Sequence, residues 1–265
     1  MKKRGLSLFC AFLAGAMLTM GNGATITMAA ENTAETPAVT EETPEASTVP
    51  ESSEWEIQSN NIAGWPEGPK VSAETAIVMD IDTGEILYAK GINEKRAPAS
   101  TTKIMTAMLA IEKVPFDTQI TFTDDVNNIE AGSTHIGIKP GETLTMKDCA
   151  YAILLASANE VSSGVAEYIG TTVPAFVDMM NQRAKELGCT NTNFVNANGL
   201  YDENHYTTAR DLAIIARAAF QNETFREIVK TPYYIVPKTN LTDEERWLNN
   251  HHKMIFQGPE SVSYT

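Results

Sequence analysis

Ser100 and Lys103 stand three positions apart in Pro98-Ala99-Ser100-Thr101-Thr102-Lys103, at the head of a long apolar run. On a helix that spacing puts a hydroxyl and an amine on one face, within reach of each other. A serine hydroxyl is a weak nucleophile at neutral pH unless a neighbouring base takes its proton. A lysine in an apolar helix loses hydration, which lowers its pKa and suits it to that task. Pro98 helps to place Ser100 near the helix N-terminus, where the dipole and free N–H groups favour a developing negative charge. The same spacing also fits a helix-capping serine followed by a surface lysine, and it arises by chance about once in a chain of this size. A second polar cluster, Ser157-Ala158-Asn159, falls in a break between two apolar helical patterns. Its serine could relay a proton and its amide could hold a substrate, or the cluster could simply cap the following helix.

The surrounding pattern supplies elements to carry these groups. Ala76–Asp80 and Glu85–Ala89 are β-rich runs around Asp82-Thr83-Gly84, which predicts a hairpin. The run from Thr101 to Ile111 is apolar nearly all round, as a helix inside a domain should be, and Pro115 ends it. A polar, irregular stretch is expected from Thr121 to Glu142. Helical periodicity returns over Thr145–Leu155, Glu160–Ile169, Pro174–Leu187 and Thr208–Phe220, with a short helix over Thr224–Val229 and a β-like run at Tyr233–Val236. Gly188 stops the third of these helices, and Thr207 or Thr208 caps the fourth. Strands, then helices, then strands again predict an α+β fold.

Composition narrows the classes of function. The formal net charge of −14 argues against a nucleic-acid partner, which would need a basic face. Residues 1–30 read as a signal peptide: Lys2, Lys3 and Arg4 precede an apolar run from Leu6 to about Met20, and small residues follow. The run is short for a spanning helix, so the chain is expected to be exported, extracellular or associated with the cell wall or membrane. Residues 31–60 hold eight glutamates, no lysine or arginine and few large apolar groups. That composition predicts a disordered acidic spacer. Residues 61–265 then form the globular domain. Cys149 and Cys189 are read as buried free thiols within apolar helical patterns. The four histidines, His135, His205, His251 and His252, show no accompanying ligand set, so no metal is expected. His205 reads as a loop organiser, since no Ser-His-Asp context surrounds it.

Together the motifs resemble the penicillin-binding D-alanyl-D-alanine carboxypeptidases. Ser100-x-x-Lys103 and Ser157-x-Asn159 are the first two elements of the motif set found in penicillin-binding proteins and β-lactamases. The likeness continues through Asn196-Ala197-Asn198-Gly199-Leu200, Asn204 to Leu212, and Arg246-Trp247-Leu248-Asn249-Asn250, and covers about residues 62 to 265. It implies a β-lactamase/penicillin-binding-protein-like fold, in which an antiparallel sheet packs with helices beside a mainly helical lobe. It implies that Ser100 attacks the bond between two terminal D-alanines of a peptidoglycan stem peptide and that water hydrolyses the resulting acyl-enzyme. Lys103 would be the general base, Ser157 the proton relay and Asn159 a substrate-binding amide. The Ser100 N–H would serve the oxyanion hole, β-lactams would acylate the same serine, and no cofactor is implied.

The chain departs from that pattern in one respect. The family's third motif, Lys-Thr-Gly, is absent from the 265 residues. Lys230-Thr231-Pro232 and Lys238-Thr239-Asn240 come too early and lack the glycine, and a proline spoils a central strand. The resemblance therefore implies a catalytic domain whose sheet is incomplete at its C-terminal side, and reduced activity. Two other readings share the motifs: a class A β-lactamase-like hydrolase, for which no deacylating glutamate is evident, and an inactive peptidoglycan-binding fragment.

Overall fold

The computed structural model describes residues 50–128, 130, 132–252 and 255. The expected signal peptide and most of the expected spacer lie outside the described residues. The domain is built around α1 (Lys103–Lys113), which packs against five further helices. These are α2 (Met146–Leu155), α3 (Asn159–Gly170), α4 (Val173–Glu186), α5 (Ala209–Phe220) and α6 (Glu223–Val229). The all-round apolar character of α1 finds its reason here. Met105, Ala107, Met108, Leu109 and Ala110 are all buried, so no face of the central turns meets water. Val114 is extended, as the residue before Pro115 should be, and the helix stops there.

Local chemistry sets the other helix boundaries close to where the sequence predicts them. Thr145 and Asp148 form a reciprocal capping box at the start of α2. Thr172, Thr208 and Asn222 each accept a backbone N–H at the starts of α4, α5 and α6. Between α2 and α3 the chain turns through Ser157, whose φ of 54° is left-handed. That conformation costs about 1–3 kcal/mol for a residue with a side chain.

Among the described residues the strands form three two-stranded antiparallel sheets. The predicted hairpin is present as β1 (Ala76–Met79) and β2 (Ile86–Lys90), with an irregularity between Val78 and Met79. The Asp80 carboxylate accepts the N–H groups of Asp82 and Thr83 and so closes the turn. Arg217 of α5 donates to the carbonyls of Ile81 and Asp82 at 2.8 Å each. Ile77 and Met79 pack with Ala89, Ile92 and Ala209 in a small second core. The hairpin is thus fixed to α5 by both apolar and polar contacts.

The stretch expected to be irregular is bounded by a short ladder, β3 (Gln119–Thr121) with β4 (Thr143–Thr145). Three residues per strand are too few to show an alternating pattern in sequence. β5 (Tyr233–Val236) pairs with β6 (Arg246–Asn249), and Arg246 reaches back to the buried Glu142 at 2.7 Å.

The inner end of the acidic stretch also differs from expectation. Composition places residues 50–60 in the disordered spacer. In the structure, 3-10 turns form at Glu51–Glu54 and Gln58–Asn61, and the second packs against β2. Polar contacts hold them rather than an apolar core. Lys90 donates to the carbonyls of Ser52 and Val71 at 2.6 and 2.7 Å, and Ser59 accepts the Ala89 N–H. Composition counts apolar side chains, so it misses a segment anchored by backbone carbonyls.

Candidate active site

Ser100 lies in a 3-10 turn, Ala99–Thr102, that runs directly into α1. Its side chain is exposed, and Ala99 before it has a φ of 49°. Behind the turn lies Gly199, with a φ of 88°. A Cβ at this glycine would overlap the Ala99 carbonyl, so only glycine lets the two backbones approach so closely. The Asn196–Leu200 turn is held by its own amides. Asn196 accepts from the Gly199 N–H at 2.7 Å, and Asn198 accepts from the Leu200 N–H at 3.0 Å.

One turn further on, Lys103 is 2% exposed. Its Nζ donates to Asn159 Oδ1 at 2.5 Å and to the Asn198 carbonyl at 2.6 Å, with Ser100 Oγ at 3.4 Å. An ammonium has three donors, and these three oxygens account for them. Burial lowers the Lys103 pKa to about 8, and the negative charge of Glu160 acts in the opposite direction. The amine is therefore charged in most molecules at neutral pH but gives up its proton far more readily than a surface lysine.

Asn159 opens α3 and is buried. The sequence reading made it a substrate-binding amide; here its oxygen is taken by Lys103. Ser157 stands at the α2–α3 junction, near Asn159 in the chain. Its Oγ is buried without a hydrogen-bond partner, and no hydrogen bond joins it to Lys103 or Ser100 among the described residues. The structure thus brings Ser100, Lys103 and Asn159 into one bonded cluster and leaves the Ser157 hydroxyl without a partner.

Three contributors escaped the sequence reading. The Asn198 carbonyl is a main-chain acceptor and has no side-chain signature. Glu160, 1% exposed, accepts the Ile136 N–H at 2.7 Å through Oε1. His205, read only as a loop organiser, ties the Val195 segment to the turn that carries Ser100. Its Nδ1 accepts the Val195 N–H at 3.1 Å, which leaves Nε2 to donate to Thr102 Oγ1 at 2.8 Å. Burial lowers its pKa to about 4, so the ring is neutral at physiological pH.

The two Lys-Thr pairs serve elsewhere. Thr231 donates to the Glu227 carbonyl and Thr239 to Glu142, and neither contacts Ser100 or Lys103. Cys149 and Cys189 are free and buried, and burial raises both thiol pKa values, that of Cys189 to about 12. Among the described residues no three His, Cys, Asp or Glu side chains gather as a metal site would require. No helix of the described residues is long and apolar enough to cross a membrane.

Comparison with solved structures places this architecture in the penicillin-binding-protein/β-lactamase-like class. A mutant of the Streptomyces K15 DD-transpeptidase superposes with a TM-score of 0.69 at 27% identity, over 75% of this chain and 81% of that one. A putative penicillin-binding protein homolog from Mycobacterium tuberculosis gives 0.68 at 29% identity, over 74% and 73%. Within that class the chain belongs to the D-alanyl-D-alanine carboxypeptidase family (peptidase family S11), whose profile matches residues 62–262. The D-alanyl-D-alanine carboxypeptidase DacF of Bacillus subtilis is 39% identical over 187 residues, or 69% of this chain. DacB2 of Mycobacterium tuberculosis is 31% identical over 199 residues, or 74% of this chain. The matched regions span 47% of the Bacillus protein and 65% of the Mycobacterium protein.

Proposed function

We propose that this chain carries the acyl-transfer centre of a serine D-alanyl-D-alanine carboxypeptidase, with Ser100 as nucleophile. One observation carries the reading: a buried lysine, held by Asn159 and Asn198, has the Ser100 hydroxyl as its third neighbour. In its neutral form Lys103 accepts the Ser100 proton as Oγ attacks the carbonyl carbon between the two terminal D-alanines. The carbonyl π electrons move onto oxygen, where the Ser100 N–H would stabilise the charge. Collapse breaks the C–N bond, and the proton held on Lys103 passes to the departing D-alanine nitrogen. The unpartnered Ser157 hydroxyl is suited to relay it. Water then adds to the acyl-enzyme ester and gives a proton to Lys103; as the ester C–O bond breaks, Lys103 returns that proton to Ser100 Oγ, which frees the shortened peptide and restores the neutral amine.

The substrate is a peptidoglycan stem peptide ending in D-alanyl-D-alanine, and β-lactams are covalent inhibitors at the same serine. Asn159 would present its remaining amide group to the substrate while its oxygen holds Lys103. Residues 1–30 direct export, and residues from 31 to about 50 space the domain from the point of cleavage. The enzyme therefore acts outside the cytoplasm, at the cell wall or membrane surface.

The test is incubation of the protein with a fluorescent penicillin and, separately, with a peptide ending in D-alanyl-D-alanine. One label per chain, mapped to Ser100 and lost in Ser100→Ala, together with release of D-alanine, is expected. Rapid turnover of the penicillin without D-alanine release would instead assign a β-lactamase-like hydrolase. Peptidoglycan binding with no label at all would mark an inactive binding protein.

A further inference from the structure

Tyr201 is the most exposed of the large apolar side chains described, at 80%. Single exposed aromatics are ordinary on protein surfaces, so exposure by itself assigns it nothing. Its mounting sets it apart. Two residues before it, a Cβ at Gly199 would lie 3.0 Å from the Ser100 nitrogen. Four residues after it, His205 Nε2 donates to Thr102 Oγ1 at 2.8 Å. The loop 200–204 is therefore fixed at both ends to the turn that carries Ser100. Asn196 donates to the Leu200 carbonyl at 2.9 Å, the Asn204 N–H to Asp202 at 2.7 Å, and Asn193 to the Asn204 carbonyl at 2.6 Å. The Tyr201 side chain has no hydrogen-bond or ring partner among the described residues, whereas the next most exposed pair, Tyr233 and Trp247, stack on each other at 6.1 Å. A braced backbone thus presents a free ring, which loses little freedom on meeting a ligand.

Two chain steps limit the Tyr201 Cα to about 7.6 Å from that of Gly199. The carbonyl that Ser100 attacks belongs to the first of the two D-alanines, so the residue before it begins about 3.5 Å further along the peptide. A long side chain on that residue comes within reach of the Tyr201 ring. The loop also indicates what that side chain is. An aromatic face accepts both an aliphatic stem and a cation. Asp202 and Glu203 follow directly and are exposed, Glu203 has no ionic partner among the described residues, and the loop 200–204 holds no basic residue. Lys95, the cation against the neighbouring Tyr206, is held over that ring at 3.9 Å. Ring and charge together favour a stem that ends in an ammonium over a short apolar or an acidic side chain.

We propose that Tyr201 is a specificity-determining residue: its ring packs along the side chain that precedes the two D-alanines and favours a diamino acid with a free terminal ammonium there. This inference rests on the acyl-transfer reading and deepens it, since it concerns the substrate of that same site. It requires no chemistry from Tyr201, only contact.

The experiment measures peptide affinity by NMR titration in the full chain carrying Ser100→Ala, which binds without turnover. The probes are N-acetylated X-D-Ala-D-Ala peptides in which X is alanine, lysine or Nε-acetyl-lysine. The lysine peptide should bind about fivefold more tightly than the alanine peptide, and Nε-acetylation should remove most of that advantage. Adding Tyr201→Ala should bring the three affinities within about twofold of one another by weakening the lysine peptide alone, while Tyr201→Phe keeps their order. A lysine preference that survives Tyr201→Ala, or the lack of one in the parent, would overturn the proposal. Equal weakening of the alanine peptide would also overturn it, because Tyr201 would then support the loop rather than select the substrate. Penicillin labelling of the unaltered protein separates the two failures. Labelled Ser100 without a lysine preference rejects this inference alone, whereas an unlabelled Ser100 rejects the acyl-transfer reading beneath it.

Discussion

Two lysines of this protein are equally hidden and differently employed. Lys90, on β2, is 1% exposed, and Lys103, on α1, is 2% exposed. Burial lowers the pKa of both. Lys90 meets only the backbone carbonyls of Ser52 and Val71, which clasp residues 50–72 to the hairpin. Lys103 meets a carbonyl, an amide oxygen and a serine hydroxyl, within the field of a buried carboxylate. Desolvation by itself therefore does not make a lysine a base. What distinguishes Lys103 is a side-chain hydroxyl, that of the exposed Ser100, among its neighbours.

The strongest test of that contrast removes each amine in turn. Lys103→Ala should slow penicillin acylation of Ser100 by about 10²–10⁴-fold, the range typical of a lost general base. Lys90→Met should leave acylation nearly unchanged and instead speed proteolytic cleavage within residues 50–72. Equal loss of acylation in both variants would erase the proposed division of labour. Acylation by the unaltered protein should also rise with pH through about 8 as Lys103 becomes neutral.

Next in size is the backbone contact behind the nucleophile. Gly199→Ala adds a Cβ at a φ of 88° and directly against the Ala99 carbonyl. It should destabilise the protein by about 2 kcal/mol or more and slow acylation, read by thermal melting and penicillin labelling. A smaller effect is expected for Gly84→Ala in the β1–β2 turn, where the φ of 78° is also left-handed but the nearest neighbour is the Arg217 side chain at 3.2 Å rather than backbone.

A pH dependence of stability is expected away from the Ser100–Lys103 pair. The His205 pKa is lowered from 6.5 to about 4, so the unfolded chain binds more protons between those values. Stability should therefore rise with pH across that window and be lost as pH falls toward 4, by up to about 3 kcal/mol. Lys103 behaves with the same sign at higher pH. The cost of its buried charge is fully present below about 8 and is relieved as pH rises toward 10.5. Denaturation curves at pH 4.5 and 6.5 for the unaltered protein and His205→Gln would isolate the histidine contribution. A slope unchanged by the substitution would contradict it.

Much of the fold is visible in the sequence. The helices are long, periodic and capped by Thr145, Thr172 and Thr208, so their existence and most of their limits follow from local chemistry. The β1–β2 hairpin follows from its turn residues. The three-residue strands β3 and β4 do not, nor does the ordering of residues 50–60, because neither depends on a run of apolar side chains.

The candidate site divides in the same way. Ser100 and Lys103 are neighbours on one turn, and helical geometry alone brings them together. The other partners come from far along the chain: Asn159 is 56 positions from Lys103, Asn198 is 95, and His205 is 103 from Thr102. Sequence by itself determined the helix, the pairing of Ser100 with Lys103 and the acidic character of the chain, because each depends on residue type and local spacing. Only the tertiary structure decided which lysine sits beside a hydroxyl and an amide oxygen, which carbonyl it touches, and that the Ser157 hydroxyl remains unpaired. Burial, electric field and main-chain hydrogen bonds arise from packing between distant segments, and no residue type announces them.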